Sequence, residues 1–181
     1  SRPFKELASS AIRVVQPHAQ AGLWFGGAGG LYHYDGKTLT AAPFNADLES
    51  GFVTVIEAQK HDLLIGTTSG LYWYQQEKLN RVGLGTPLFG AYITSVLTLP
   101  GQHMLVATLD DGLFIKTAQG QWQQYDSSNG LPLDPVISLW YDQDTDYVWA
   151  SSLKGVFRFT PPQKADGSPL LNFEQIGRAS C

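Results

Sequence analysis

The chain has 181 residues, a formal net charge of −4, 43% apolar residues and one cysteine, at its last position. That length fits one domain, or a piece of one, and is enough to bury a real core. The lone cysteine excludes an internal disulfide and a cysteine metal cluster, and the lack of a basic block or basic-aromatic stripe excludes a nucleic-acid surface.

Residues 1–10, with "PFKEL", read as the outer strand of a preceding unit. An apolar strand, "IRVV", starts at Ile12 and is followed by the polar turn "PHAQAG". A second strand ends at the small residue Gly26, and a third, "LYHY", follows Gly30. The same order restarts at Phe52 with "FVTVIEA", turns at "QKHD", reaches Gly66, then Gly70 and "LYWY". It restarts at Tyr92 with "YITSVLTL", turns at "PGQH", reaches Ala107, then Gly112 and "LFIK". The last round begins at Val136 with "VISLWYD", turns at "DQDTD", reaches Ser151, then Gly155 and "VFRF". A fourth, more polar strand closes each unit, most visibly "QWQQYD" at Gln121 and "LNFEQI" at Leu171.

These runs are short, rich in β-branched and aromatic residues, and bounded by Gly, Pro, Asn and Asp, so they are strands. No segment sustains an apolar 3.6-residue period. The glycines Gly30, Gly70, Gly112 and Gly155 recur at intervals of 40, 42 and 43 residues, with one extra residue at Asp110-Asp111. Four strands per repeat of that length is the period of a β-propeller blade. The expected fold is therefore all-β: about four four-stranded antiparallel blades spanning residues 1–181, near 11–50, 51–90, 91–134 and 135–177. The nearly continuous apolar first strands suit inner strands covered on both faces. The small residues at 26, 66, 107 and 151 suggest tight packing of blade on blade. Because "PFKEL" is surplus to a closed ring, the chain is expected to be a fragment of a larger propeller; a compact four-bladed ring is the alternative. Bare terminal blade faces would favour a homodimer.

Several constellations have plainer explanations than chemistry. "DQDTD", Asp142 to Asp146, starts like a calcium loop but lacks the glycine and the twelfth-position glutamate. "LDDG" holds a pair of acids with no histidine beside it. His18, His61 and His103 fall in or beside first-to-second-strand turns, and with His33 they are expected to be solvated or turn residues rather than metal ligands. Ser151-Ser152 and Thr67-Thr68 lack a nucleophile elbow and read as strand ends that hydrogen-bond the turn. "GGAGG" matches the repeat register and needs no nucleotide. The tryptophans at 24, 73, 122, 140 and 149 lie mostly in strands and are expected in core or inter-blade packing. The residues that vary on a regular scaffold sit in the second-to-third-strand loops: Thr68, Ser69, Asp110, Asp111 and Lys154 are the candidate ligand-binding set. No catalytic residue, metal site or cofactor is expected.

The repeat resembles the two-component regulator propeller family. The fourth unit carries Asn129-Gly130-Leu131-Pro132, Val136, Asp142, Trp149 and Gly155 at the spaced positions. The first supplies Trp24, Gly26, Gly30, Leu31 and Tyr34; the second, Ile65, Gly66, Thr67, Gly70, Leu71 and Tyr74. Leu64 and Leu105 depart from the usual tryptophan, and Gln16 from the turn aspartate. The resemblance implies that the larger propeller is seven-bladed, and that the chain is a periplasmic, non-catalytic sensor module of a bacterial membrane signalling protein, whether a histidine kinase or a diguanylate cyclase type. It would bind a small molecule or saccharide, with membrane contact only through segments outside this chain. The alternatives are a propeller lyase or hydrolase with a metal near the axis, and a protein-interaction scaffold.

Overall fold

Sixteen strands form four separate antiparallel meanders in a computed structural model that describes residues 11–18, 22–59, 62–117, 119–161 and 171–178. The first sheet holds β1 (Ile12–Pro17), β2 (Leu23–Gly27), β3 (Gly30–Tyr34) and β4 (Leu39–Ala41). The second holds β5 (Val53–Ala58), β6 (Leu63–Thr67), β7 (Gly70–Gln75) and β8 (Lys78–Arg81). The third holds β9 (Ile93–Thr98), β10 (Met104–Thr108), β11 (Leu113–Lys116) and β12 (Trp122–Tyr125). The fourth holds β13 (Val136–Asp142), β14 (Tyr147–Ser152), β15 (Gly155–Phe159) and β16 (Glu174–Arg178). Every strand pairs with its neighbours in sequence. Only three short 3-10 turns interrupt the strands among the described residues. The predicted outer strand of a preceding unit, residues 1–10, lies outside the described residues.

The sheets stack in chain order, with β1 against β5, β5 against β9 and β9 against β13. Strand alternation gives each sheet two apolar faces. In the second and third sheets one face meets the sheet before and the other the sheet after. Leu31 packs with Ile56, Leu63, Ile65 and Tyr72 of the second sheet. Leu64 and Leu71 pack with Ile93, Val106 and Phe114 of the third. Leu105, Leu113 and Ile115 pack with Val148, Ala150, Phe157 and Phe159 of the fourth. The core is thus a series of three layers between four sheets.

The small residues at strand ends serve this stacking. A Cβ on Gly26 would stand 2.5 Å from Val53 Cγ1 of the next sheet. A Cβ on Gly66 would stand 2.7 Å from Ile93 Cγ2. The repeat glycine Gly70 has a different cause: its φ of +136° lies in the region that disfavours side chains, and a Cβ there would meet the Phe89 carbonyl at 2.7 Å.

One device was not expected. Each inner-strand pairing slips by one residue at its start, between Ile12 and Val14, Val53 and Val55, and Val136 and Ser138, with a matching slip at Ala107–Thr108. Such a bulge re-aims the side chain of the extra residue. At that position Thr54 donates to the Ile93 carbonyl at 2.7 Å, and Thr94 to the Val136 carbonyl at 2.6 Å. Each hydroxyl ties one inner strand to the next.

Two expectations need correction. The inner strand β1 is not covered on both faces: Val15 is 52% exposed, whereas its counterpart Ile56 is 3% exposed. No described sheet precedes it. The last outer strand begins at Glu174, three residues beyond the predicted start at Leu171. Leu171 and Phe173 instead fold onto the third core layer.

Candidate functional site

In a meander, the links β6–β7, β10–β11 and β14–β15 share one end of the sheets, and the inner-strand turns lie at the other. The five predicted ligand residues therefore sit at one end. Their loops are built by the same hydrogen bonds. Thr68 N–H donates to the Phe52 carbonyl and Leu109 N–H to the Tyr92 carbonyl, which ties both loops to the strand entering each sheet. Thr67 Oγ1 donates to the Gly70 carbonyl and accepts from Ser69 N–H. Thr108 Oγ1 does the same between Gly112 and Asp111. Ser152 Oγ accepts from Lys154 N–H. These hydroxyls close turns, as the sequence suggested for Thr67 and Ser152.

The five residues do not form one cluster of contacts. Ser69 is held by Arg81, whose guanidinium donates to the Ser69 and Phe89 carbonyls, stacks over the Phe89 ring and pairs with Glu49. Asp110, Asp111 and Lys154 instead act through their charge on Asp134, a residue the sequence did not single out. Burial, more than any neighbour, pushes the Asp134 carboxyl above the ordinary aspartate range; Lys154 pulls it down, and Asp126, Asp110 and Asp111 push it up. Asp134 Oδ1 is buried with no hydrogen-bond partner among the described residues. Asp134 belongs to the link into β13, where no repeat position marked it. Among the described residues no group of three histidine, cysteine or acidic side chains is arranged to hold a metal.

The opposite end carries a cavity of about 420 Å³ between the second and third sheets, lined by Gln59, Trp73, Thr98, His103, Met104, Lys116, Thr117 and Gly120. Its walls come from β7 and the turn after β5 on one side, and from the end of β9, the start of β10 and the end of β11 with their turns on the other, so side chains from two sheets meet there. Gln59 Nε2 donates to Thr98 Oγ1 across the gap at 2.8 Å. Lys116 Nζ lies 5.2 Å from the Trp73 ring centre and 5.9 Å from that of Trp122. This is cation–π range. His103 follows a tight Pro100-Gly101 turn and is 7% exposed, against the expectation of a solvated turn histidine. Its Nδ1, like Trp73 Nε1, has no hydrogen-bond partner among the described residues. Glu57, two residues before Gln59 on β5, has its carboxyl pushed up by burial. None of the predicted site residues lines this cavity.

A signal for it does exist in the repeat. Lys116 pairs in β11 where Tyr34, Tyr74 and Phe159 pair in the other sheets, opposite Met104, Leu23, Leu63 and Val148. One repeat thus places a cation where three place an aromatic ring.

The other flagged residues fall into structural roles. Asp142 accepts from Asp144 N–H and Thr145 Oγ1, and Tyr141 donates to Asp146, which makes "DQDTD" a hairpin turn. His18 and His33 lie 4.8 Å apart with Trp24 beside both. Burial first, and then His33, hold the His18 imidazole below its usual range. His61 lies outside the described residues. Trp140 is 61% exposed, on the sheet face that the first three blades bury against a neighbour.

This arrangement is shared with known structures. The chain is a run of β-propeller blades. It superposes on the extracellular domain of the candidate hybrid two component system BT4673 of B. thetaiotaomicron with a TM-score of 0.75 and 19% identity, covering 95% of this chain and 22% of that one. The extracellular domain of BT3049, from the same organism, gives a TM-score of 0.58 and 15% identity over 93% of this chain and 29% of that one. The WD40 β propeller domain of Doa1 gives 0.65 and 9% over 83% of this chain and 50% of that one. The blades thus span under a third of the two bacterial structures. No protein-family model matches the sequence, and no curated protein does.

Proposed function

We propose that the chain is a non-catalytic, ligand-sensing part of the extracytoplasmic region of a bacterial membrane signalling protein, of the two-component regulator propeller class. The observation that carries this is the superposition on the BT4673 extracellular domain across 95% of the chain. The repeat residues named above give independent support. No helix among the described residues is long and apolar enough to cross a membrane, so coupling to a signalling domain would come from elsewhere in a longer protein. In this proposal the blades are one arc of a larger ring, near 11–50, 51–90, 91–134 and 135–177.

The test uses the longer protein in its own cell. A transcriptional reporter is read with an intact arc and with Gly66→Trp, which wedges the second and third blades apart. Loss of the inducer response at unchanged protein level is the expected result. An unchanged response to every inducer would overturn the sensing role.

A further inference from the structure

We infer that the cavity between the second and third blades binds a single carboxylate carried on a compact hydroxylated ring, the chemistry of a uronic acid. The charge comes first. Among the described residues, Lys116 is the one charged side chain lining the cavity, and no carboxylate among them lines it. No ion pair of Lys116 occurs among the described residues. Its ammonium lies instead near two indole rings. An ammonium partly withdrawn from water gains most from an anion that reaches it. One cation balances one negative charge, which favours a carboxylate over a doubly charged phosphate. A zwitterionic amino acid would bring an ammonium that finds no acid among the described lining residues.

The remaining lining fits the body of such a ligand. Trp73 from the second sheet and His103 from the third both line this cavity, and each keeps a buried polar atom, Nε1 and Nδ1, without a partner among the described residues. Trp73 and Met104 offer apolar surface for ring C–H groups. The Thr117 hydroxyl and the Gln59–Thr98 pair offer partners to ring hydroxyls. The volume of about 420 Å³ lies in the range of small-molecule sites. The site is distinct from the loop end with Asp110, Asp111 and Lys154.

This inference rests on the sensing role for its biological meaning, but the binding stands or falls alone. D-glucuronate and D-galacturonate are titrated into the purified chain by calorimetry, with tryptophan fluorescence as a second readout, beside D-glucose and D-galactose. We expect at least one uronate to bind and neither neutral sugar to match it. Lys116→Gln should weaken the uronate at least tenfold, Lys116→Arg should restore part of it, and Lys37→Gln, in the exposed turn between β3 and β4 of the first sheet, should leave it unchanged. Thermal midpoints of all three variants, held near the parent's, separate lost binding from lost folding. Neutral sugars binding as tightly, no uronate binding at all, or Lys116→Gln binding like the parent each overturns the inference. Uronate binding with a reporter deaf to it would sink the sensing role and leave the site. A responsive reporter with no uronate binding would do the reverse.

Discussion

Gly66→Ala is the most direct trial of the blade-on-blade packing. The new methyl would stand 2.7 Å from Ile93 Cγ2, 2.9 Å from Ile93 Cβ and 3.0 Å from Val55 Cβ. Both atoms of Ile93 belong to the next sheet, and a Cβ cannot rotate away. Either the sheets part by several tenths of an ångström or the strand bends. Such overpacking costs about 1–3 kcal/mol. Replacing glycine also trims the entropy of the unfolded chain, which returns about 0.4–1 kcal/mol. The net loss is about 1–2 kcal/mol, a fall in melting midpoint of about 2–8 °C for a chain of this size. Urea titration followed by tryptophan fluorescence measures it. Gly90→Ala is the control: a Cβ there meets nothing within 4 Å, and the change should stay within about 0.5 kcal/mol. A Gly66→Ala protein as stable as its parent, beside a silent Gly90→Ala, would refute the close-packing account.

Three other outcomes follow from the geometry. Thr54→Val removes the hydroxyl that reaches the Ile93 carbonyl and should cost about 1–2 kcal/mol in the same titration. Asp35 accepts the Thr38 and Lys37 amides and the Thr38 hydroxyl, the Thr38 amide being the leading cause that brings its pKa to about 2. Its stabilisation is present above the ordinary value of 3.8 and disappears as pH falls through about 2; carboxyl-carbon NMR should follow that titration, and a midpoint near 4 would contradict it. Asp134 has the opposite sign, because burial raises it. Its ionised form opposes folding at neutral pH, so Asp134→Asn should stabilise there, with the advantage shrinking as pH drops through the raised value and gone below the ordinary aspartate range. An advantage equal at pH 7 and pH 3 would rule that cause out.

Sheets and turns were legible because strand alternation and glycine punctuation are local. Leu31, Leu71 and Leu113 recur after the same glycine and all become fully buried. The inner-strand bulges were not legible, since one extra residue leaves no compositional mark; only afterwards do Thr54 and Thr94 stand out as polar residues inside apolar runs. The cavity was hidden for another reason. Trp73 and Lys116 are 43 residues apart and meet only because one sheet lies on the next. Asp134 was missed because links between sheets carry no repeat register. The loops at Thr68, Ser69, Asp110, Asp111 and Lys154 were placed at one end by topology alone, and what they bind depends on surfaces that strand patterning does not describe.

The threonine ties between inner strands imply an uneven resistance to opening. Arg13 holds the bulge position in the first blade, with no hydroxyl to offer β5, while Thr54 and Thr94 fasten the later pairs. Stacked repeats couple chiefly to their nearest neighbours. Fraying should therefore start at β1 and travel inward, with deuterium entering the amides of the first sheet well before those of β6 and β10.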